Sequence, residues 1–156
     1  MARASKKDHI IEQATGLFLE QGFKGTSIDL VVTTCGVSKP TVYKHFPDKT
    51  ILIGAVMAHW LQGRVQPLAS DWSLTDVWHH LCQHWWSPEP MHMYRLVISE
   101  GWRFPKAAEA FWTEFDAAWW AQADAWQAQQ SDIEAAGLQL RLQAELWRQL
   151  VPQSVK

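Results

Sequence analysis

The segment that most restricts the fold is residues 26–49, where two short helix patterns lie on either side of a tight turn at Gly36. Thr26 precedes the first pattern, and Ser38 precedes the second, which ends before Pro47. Ser and Thr are favoured at helix starts, and glycine adopts the left-handed angles of such a turn without strain. This arrangement is typical of a helix-turn-helix, whose second helix can lie in the DNA major groove.

The remaining sequence is also helical in pattern, and it shows no sustained alternation of apolar and polar residues that would predict a strand. Capping boxes, in which a hydroxyl and a carboxylate three residues later satisfy early N–H groups, are expected at Ser5, Thr26, Ser73 and Ser131. We predict an all-α fold with a three-helix helix-turn-helix domain over residues 1–47 and a larger helical domain over 48–156. Within the larger domain, helices are predicted over residues 48–66, 73–86, 91–103, 105–130 and 131–151.

Charge and tryptophan are unevenly distributed along the chain. Up to Gln66 there are eight Lys or Arg and five Asp or Glu, a net charge of +3, whereas the rest has six against eleven, a net charge of −5. All eleven tryptophans lie between Trp60 and Trp147. A basic first part indicates that this part of the chain contacts a polyanion.

Other classes of protein are disfavoured by what the sequence lacks. Cys35 and Cys82 are single and far apart, so no disulfide framework or paired zinc motif is expected. The N-terminus has no apolar signal segment, and no window approaches the roughly 18 apolar residues of a membrane span. No nucleophile–base set or phosphate loop is recognisable. We expect a cytoplasmic, non-enzymatic protein with no cofactor and no membrane contact.

The predicted recognition helix has two different faces. Val42 and Phe46 are four residues apart and can pack together on the first helix. The opposite face is basic and polar, and its first turn is the part that reaches base edges in a helix-turn-helix. Hydroxyls and N–H groups at helix starts can hold phosphates. The residues predicted to contact double-stranded DNA are Thr26, Ser27, Ser38, Lys39, Pro40, Thr41, Tyr43, Lys44, His45 and Lys49.

Residues from about Lys6 to Val56 resemble the DNA-binding domain of the TetR family of bacterial transcriptional regulators. The matching positions are Gly22-Phe23, Thr26-Ser27, Gly36-Val37-Ser38, Thr41-Val42-Tyr43, His45-Phe46 and Lys49. The resemblance implies that Thr41, Tyr43, His45 and Lys49 are the chief DNA contacts. Residues 94–105, Tyr-Arg-Leu-Val-Ile-Ser-Glu-Gly-Trp-Arg-Phe-Pro, resemble a segment of a subset of the family. Beyond Pro105 the resemblance fades, which indicates a short member with a divergent C-terminal half.

The resemblance also implies a small-molecule effector bound among the helices of the larger domain. Apolar and aromatic side chains typically line such pockets, although an aromatic stripe at helical spacing equally fits a plain core. The predicted pocket residues are Met57, Trp60, Leu61, Trp78, Leu81, Trp85, Tyr94, Ile98 and Trp102.

A homodimer is expected because one recognition helix contacts too few bases for useful specificity. Two helices from each protomer could form a four-helix interface; the alternative is that the same residues pack within one protomer. The predicted interface residues are Trp112, Phe115, Trp119, Trp126, Leu142, Leu146, Trp147 and Leu150.

We therefore predict a ligand-responsive repressor that binds a palindromic operator as a homodimer. Two alternatives remain open. The histidines between His79 and His92 include His80 and His84, whose spacing of four places both imidazoles on one helix face and could make the protein metal-responsive. The chain could also be a shortened protein that binds a ligand or partner and not DNA.

Overall fold

A computed structural model describes residues 5–130 and 138–150, with side chains described to residue 130 and from residue 141 onward. In these ranges the chain forms helices and no β-strand, which confirms the all-α prediction. The helices are α1 (Lys6–Gly25), α2 (Ile28–Cys35), α3 (Lys39–His45), α4 (Lys49–Leu61), α5 (Leu74–His84), α6 (Pro88–Glu100), a 3₁₀ turn (Gly101–Arg103), α7 (Pro105–Phe111), a π turn (Trp112–Asp116), α8 (Ala117–Gln127) and α9 (Leu138–Leu150).

The chain divides into two compact units. Unit 1 is Met1–Gln62 with Leu96–Phe111, and unit 2 is Gly63–Arg95 with Trp112–Lys156. The helix-turn-helix lies in unit 1, together with α4 and α7. The functional division between residues 47 and 48 remains a prediction.

The core of unit 1 forms where α1 packs against α2, α3 and α4. Ile10, Ala14 and Phe18 of α1 are buried at helical spacing, and Val31 of α2 and Val42 of α3 are buried as well. Burying a side chain such as valine or phenylalanine contributes about 1.5–3 kcal/mol. These contacts fix the two short helices of the motif on α1.

The end of α1 is shaped by Gly22. Its φ of 79° and ψ of 167° are not helical and kink the helix, as expected of a glycine stop. The capping box predicted at Thr26 is wrong, because the Thr26 side chain is fully buried. Its hydroxyl lies 3.1 Å from the Leu17 carbonyl and 3.0 Å from the Gly22 carbonyl and donates to them. Ser27 caps α2 instead, accepting from the Leu30 N–H at 3.1 Å.

The other predicted caps depend on local sequence alone. The capping boxes at Ser5 and Ser73 are both present. The structure also shows a cap at Asp48, whose side chain accepts from the Ile51 N–H at the start of α4. The box predicted at Ser131 lies outside the described residues. Helix α4 ends earlier than predicted, since Gly63 adopts a φ of 67° that turns the chain.

The long helix predicted from Pro105 is continuous to Gln127, but it is not uniform. A π turn at Trp112–Asp116 separates α7 from α8. A π turn holds more residues per turn than an α-helix, so it shifts the faces of the residues on either side. Sequence periodicity alone does not indicate this interruption.

Unit 2 has an aromatic interior that contains a buried hydrogen-bond chain. The indole of Trp85 lies parallel to that of Trp119, with ring centres 5.9 Å apart. The Trp85 Nε1–H donates to the Tyr94 hydroxyl at 2.7 Å, and that hydroxyl donates to Asp116 Oδ1 at 2.5 Å. Burial raises the pKa of the Asp116 carboxyl above its ordinary value, against the lowering effect of hydrogen bonds from Tyr94 and Trp120.

Substituting Thr26 by valine should destabilise the chain. Valine keeps the shape but removes the hydroxyl that donates to the carbonyls of Leu17 and Gly22, and a lost buried hydrogen bond costs about 1–3 kcal/mol. Urea unfolding followed by far-UV circular dichroism measures the change. Thr33→Val is the matched control, because Thr33 is exposed and the expected change is below about 0.5 kcal/mol. Equal effects at both positions would contradict the structural role of Thr26.

Substituting Asp116 by asparagine should increase stability at pH 7. The pKa of this carboxyl is higher in the folded chain than in the unfolded chain, so its ionisation favours the unfolded chain. The stability that the protonated carboxyl contributes is therefore lost as the pH rises from the unfolded-state pKa through the folded-state pKa. Asparagine cannot ionise, and its amide oxygen can still accept from Tyr94. Urea unfolding followed by tryptophan fluorescence should show a gain over wild type that shrinks as pH falls toward 4. A variant that is less stable at every pH would show that the charged carboxylate is favoured.

Candidate DNA-binding site

The turn between α2 and α3 is built as the sequence predicts. Gly36 adopts a φ of 65°, and its N–H donates to the carbonyls of Val32 and Thr33. Ser38 starts α3 with extended backbone angles, but its hydroxyl makes no capping bond to the backbone. It lies 2.8 Å from the Thr41 hydroxyl, on the exposed first turn of α3.

Helix α3 is held by one face and exposed on the other. Val42 is fully buried, and Phe46, directly after the helix, is 1% exposed. Lys39, Lys44 and Tyr43 are exposed, with 41% of the Tyr43 surface accessible. The structure therefore presents a basic and aromatic surface on the second helix of the motif.

Lys39 makes contacts that orient it on this surface. Its ammonium forms an ion pair with Asp29 Oδ1 at 2.7 Å, linking the first turn of α3 to α2. The hydrogen bond and charge of Asp29 raise the pKa of Lys39, so the ammonium stays protonated. It also lies 5.9 Å from the ring centre of Tyr43. An exposed ion pair is weak, so a phosphate can replace Asp29 as the partner of Lys39.

Four of the predicted contacts are less accessible than expected. The Thr26 side chain is buried and is therefore not accessible to DNA in this structure. Lys49 is half-buried, its ammonium is 3.5 Å from the Lys24 carbonyl, and burial lowers its pKa. His45 is also half-buried, beside the ring of Phe46. Ser27 and Pro40 are exposed, and Thr41 is half-buried.

His9 supports the motif, although no sequence pattern singles it out. Its Nε2 lies 3.1 Å from the Cys35 carbonyl, at the C-terminal end of α2. The two residues are 26 positions apart, so helical periodicity cannot reveal the contact. Cys35 itself is buried, and burial raises the pKa of its thiol. These features give both residues a structural role in holding α2 against α1.

The predicted effector-pocket residues divide between the two units. In unit 1, Ile98 and Trp102 are 55% and 73% exposed, and their place in an effector pocket stays a prediction. The side chains of Met57, Trp60 and Leu61 in unit 1, and of Leu81, Trp85 and Tyr94 in unit 2, are buried in core packing. Trp78 borders a cavity of about 350 Å³ in unit 2, together with Leu74, Thr75 and Arg141.

The predicted dimer residues also have different environments. Phe115, Trp119, Trp126 and Leu142 are buried within their own chain, which favours packing inside the protomer over contact with a partner. These side chains fill the interior of unit 2, which was the stated alternative. Trp112 and Trp147 are exposed, whereas Leu146 and Leu150 are half-buried, and for these four the interface stays a prediction.

The histidine region does not assemble a metal site in the described part of the chain. There, no group of three or more His, Cys, Asp or Glu side chains is placed to hold an ion. The rings of His80 and His84 are 4.4 Å apart, and His80 also contacts the rings of Trp72 and Trp119. Burial, and then the charge of His84, lower the pKa of His80.

Comparison with known proteins agrees with this geometry. Residues 10–56 match the family model described as bacterial regulatory proteins, tetR family. A curated relative from Mycobacterium sp. (strain GP1), named HTH-type transcriptional repressor DhaR, is 30% identical over 80 residues, which are 49% of this chain and 40% of that protein. The matches to the curated relatives cover 40% or less of their lengths.

Two solved structures show the same fold over most of the chain. One, from Mesorhizobium loti MAFF303099, is assigned to the TetR-family transcriptional regulators; it has a TM-score of 0.68 and 23% identity, and covers 93% of this chain and 91% of that one. The other is Salmonella enterica GusR, with a TM-score of 0.66, 23% identity, and coverage of 96% and 83%.

The fold and the exposed face of α3 define a helix-turn-helix protein of the DNA-binding class. Residues 10–56, which contain the helix-turn-helix, match the TetR family of bacterial regulatory proteins, and the fold of the structural neighbours agrees with that match. Among the described helices, none is both long and apolar enough to cross a membrane.

Proposed function

We propose that the chain is a DNA-binding transcriptional regulator whose α3 lies in the major groove. The observation that supports this most directly is the exposed Lys39, Tyr43 and Lys44 on a helix fixed from behind by Val42. This surface lies within the segment that matches the family. Basic side chains can bind phosphates, and the first turn of α3 can reach base edges.

The proposed regulator acts as a homodimer on a palindromic operator in the cytoplasm, and it represses transcription. Two copies of α3 are needed because one helix specifies few base pairs, and a two-fold dimer matches a palindrome. Repression is supported by the name of one relative, HTH-type transcriptional repressor DhaR. In this chain, Trp147 of α9 is 68% exposed and Trp112 is 39% exposed, so both are available to a partner.

A small-molecule effector is the proposed signal. The cavity of about 350 Å³ beside Trp78 and Arg141 in unit 2 has the size and mainly apolar lining of a ligand site. A ligand changes operator affinity only by as much as it prefers one conformation of the dimer over another. Metal-dependent regulation has less support, since the described histidines assemble no group of three ligands.

Selection of fragments from bacterial genomic DNA tests the central proposal. A sequence-specific regulator should enrich a palindromic site, and its affinity should fall steeply with salt as counterions are released. Enrichment of no sequence would contradict the DNA-binding function and would favour a protein that binds only ligands or partners.

Lys44→Ala should weaken binding to the selected site. Each phosphate contact that is lost should reduce the slope of log K against log salt by about 1. Tyr43→Ala should weaken binding by about 1–3 kcal/mol if its ring contacts a base edge, and by less if it contacts only sugar or phosphate. Fluorescence anisotropy with labelled DNA measures both variants.

Arg95→Ala provides the control for charge, because Arg95 is exposed in unit 2 and its substitution removes the same charge as Lys44→Ala. Unchanged binding by Arg95→Ala, together with unchanged unfolding of all variants, would assign the effects to α3. Equal losses for Arg95→Ala and Lys44→Ala would indicate general electrostatic attraction instead.

Trp147→Ala should weaken the homodimer without unfolding the protomer. An exposed tryptophan contributes little to the stability of its own chain, whereas interface tryptophans often contribute more than 2 kcal/mol to association. Light scattering during size-exclusion chromatography at several concentrations should show a dimer for wild type and a shift toward monomer for the variant. A wild-type dimer that the variant leaves intact would exclude Trp147 from the interface.

A further inference from the structure

The kinked corner at the end of α1, residues 22–25, is the last part of the chain before the helix-turn-helix begins. A break in a helix deprives nearby backbone N–H groups of their regular acceptors. Here the Lys24 N–H donates to Glu100 Oε2, at 2.5 Å. Glu100 is the last residue of α6, and it lies 76 positions further along the chain. The corner is therefore tied to the last residue of α6, which lies outside the motif but within unit 1.

Gly22 is fitted closely to the Glu100 carboxylate. A Cβ placed on Gly22 would lie 2.6 Å from Glu100 Oε1, which is too close for any real contact, and 3.8 Å from a methyl group of Leu96. Gly22 also has a φ of 79°, which other residues rarely adopt. One carboxylate oxygen thus lies against the bare Cα of Gly22 while the other binds the Lys24 N–H.

Charge and packing reinforce the same contact. Lys49 lies 3.5 Å from the Lys24 carbonyl, and its charge interacts favourably with that of Glu100. Phe104, four residues after Glu100, packs edge-on against Phe23 with ring centres 5.4 Å apart. Glu100 and Phe104 both belong to residues 94–105, the segment whose family resemblance the DNA-binding surface does not explain.

We propose that Glu100 is a positioning residue for the DNA-binding helices: its carboxylate fixes the 22–25 corner from which α2 begins. This role rests on the proposed DNA-binding function. The corner leads directly to Ser27, the cap of α2, and the Lys39–Asp29 ion pair links α2 to α3. A corner that is free to move would let α2 and α3 change direction, and the free energy of ordering them would then be subtracted from DNA binding.

The positioning role and simple electrostatics predict opposite changes in DNA affinity when the Glu100 carboxylate is removed. Glu100→Ala deletes a negative charge, which by itself should strengthen binding to DNA. The positioning role predicts binding to the selected site that is about tenfold weaker, the change expected when one charge-assisted hydrogen bond is lost. Amide hydrogen exchange, followed by NMR, should also be faster at Lys24.

Two further variants complete the test. Glu20→Ala, on the exposed surface of α1, removes the same charge and should leave affinity unchanged or slightly higher. Glu100→Gln keeps an oxygen that can accept from the Lys24 N–H and should recover most of the affinity, whereas Glu100→Asp is one methylene too short and should not. If Glu100→Ala fails to fold, weaker binding by the aspartate than by the glutamine variant supports the proposal, and equal binding overturns it.

The results separate the two proposals. A wild-type chain that binds no DNA contradicts the proposed function and the positioning role together. If the wild-type chain binds DNA and the Glu100→Ala and Glu20→Ala variants bind it with equal affinity, the positioning role alone is overturned. Lys24 exchange that is the same in wild type and Glu100→Ala would show that the carboxylate does not hold the corner.

Discussion

The burial of Val42 and Phe46 is the interaction on which the rest of the DNA-binding surface depends. Helix α3 has seven residues, and isolated helices shorter than about 12–15 residues are marginal in water. It is therefore stable only while these two side chains are packed in unit 1. The same packing decides which side of α3 faces solvent, because residues three or four positions apart share a face. The core and the proposed contact surface are thus two sides of one short helix.

Local features of the structure could be predicted, and long-range ones could not. The turn at Gly36 and the caps at Ser5, Ser73 and Asp48 depend on residues within four positions of each other, so the sequence contains all the necessary information. The burial of Thr26 depends on a carbonyl nine positions earlier, and the acceptor for the Lys24 N–H lies 76 positions later. A hydroxyl next to a helix start looks the same in sequence whether it contacts DNA or the protein interior.

The aromatic residues of unit 2 show why periodicity cannot separate core from interface. Phe115 and Trp119 have the spacing expected of a helix face, but a buried face and a dimer face have the same spacing. The π turn adds a second difficulty, because Trp112 belongs to it and is 39% exposed while Phe115, three positions later, is fully buried. Side-chain directions calculated for a regular α-helix do not apply across this turn.

The uneven distribution of tryptophan determines which part of the protein intrinsic fluorescence monitors. Nine of the eleven indoles belong to unit 2, and only Trp60 and Trp102 belong to unit 1. Intrinsic fluorescence therefore comes mostly from the unit that lacks the helix-turn-helix, whereas far-UV circular dichroism reports on helices in both. Coincident transitions by two probes are the usual test of two-state unfolding. In this chain the same pair of probes distinguishes the two units spectroscopically, without any added label.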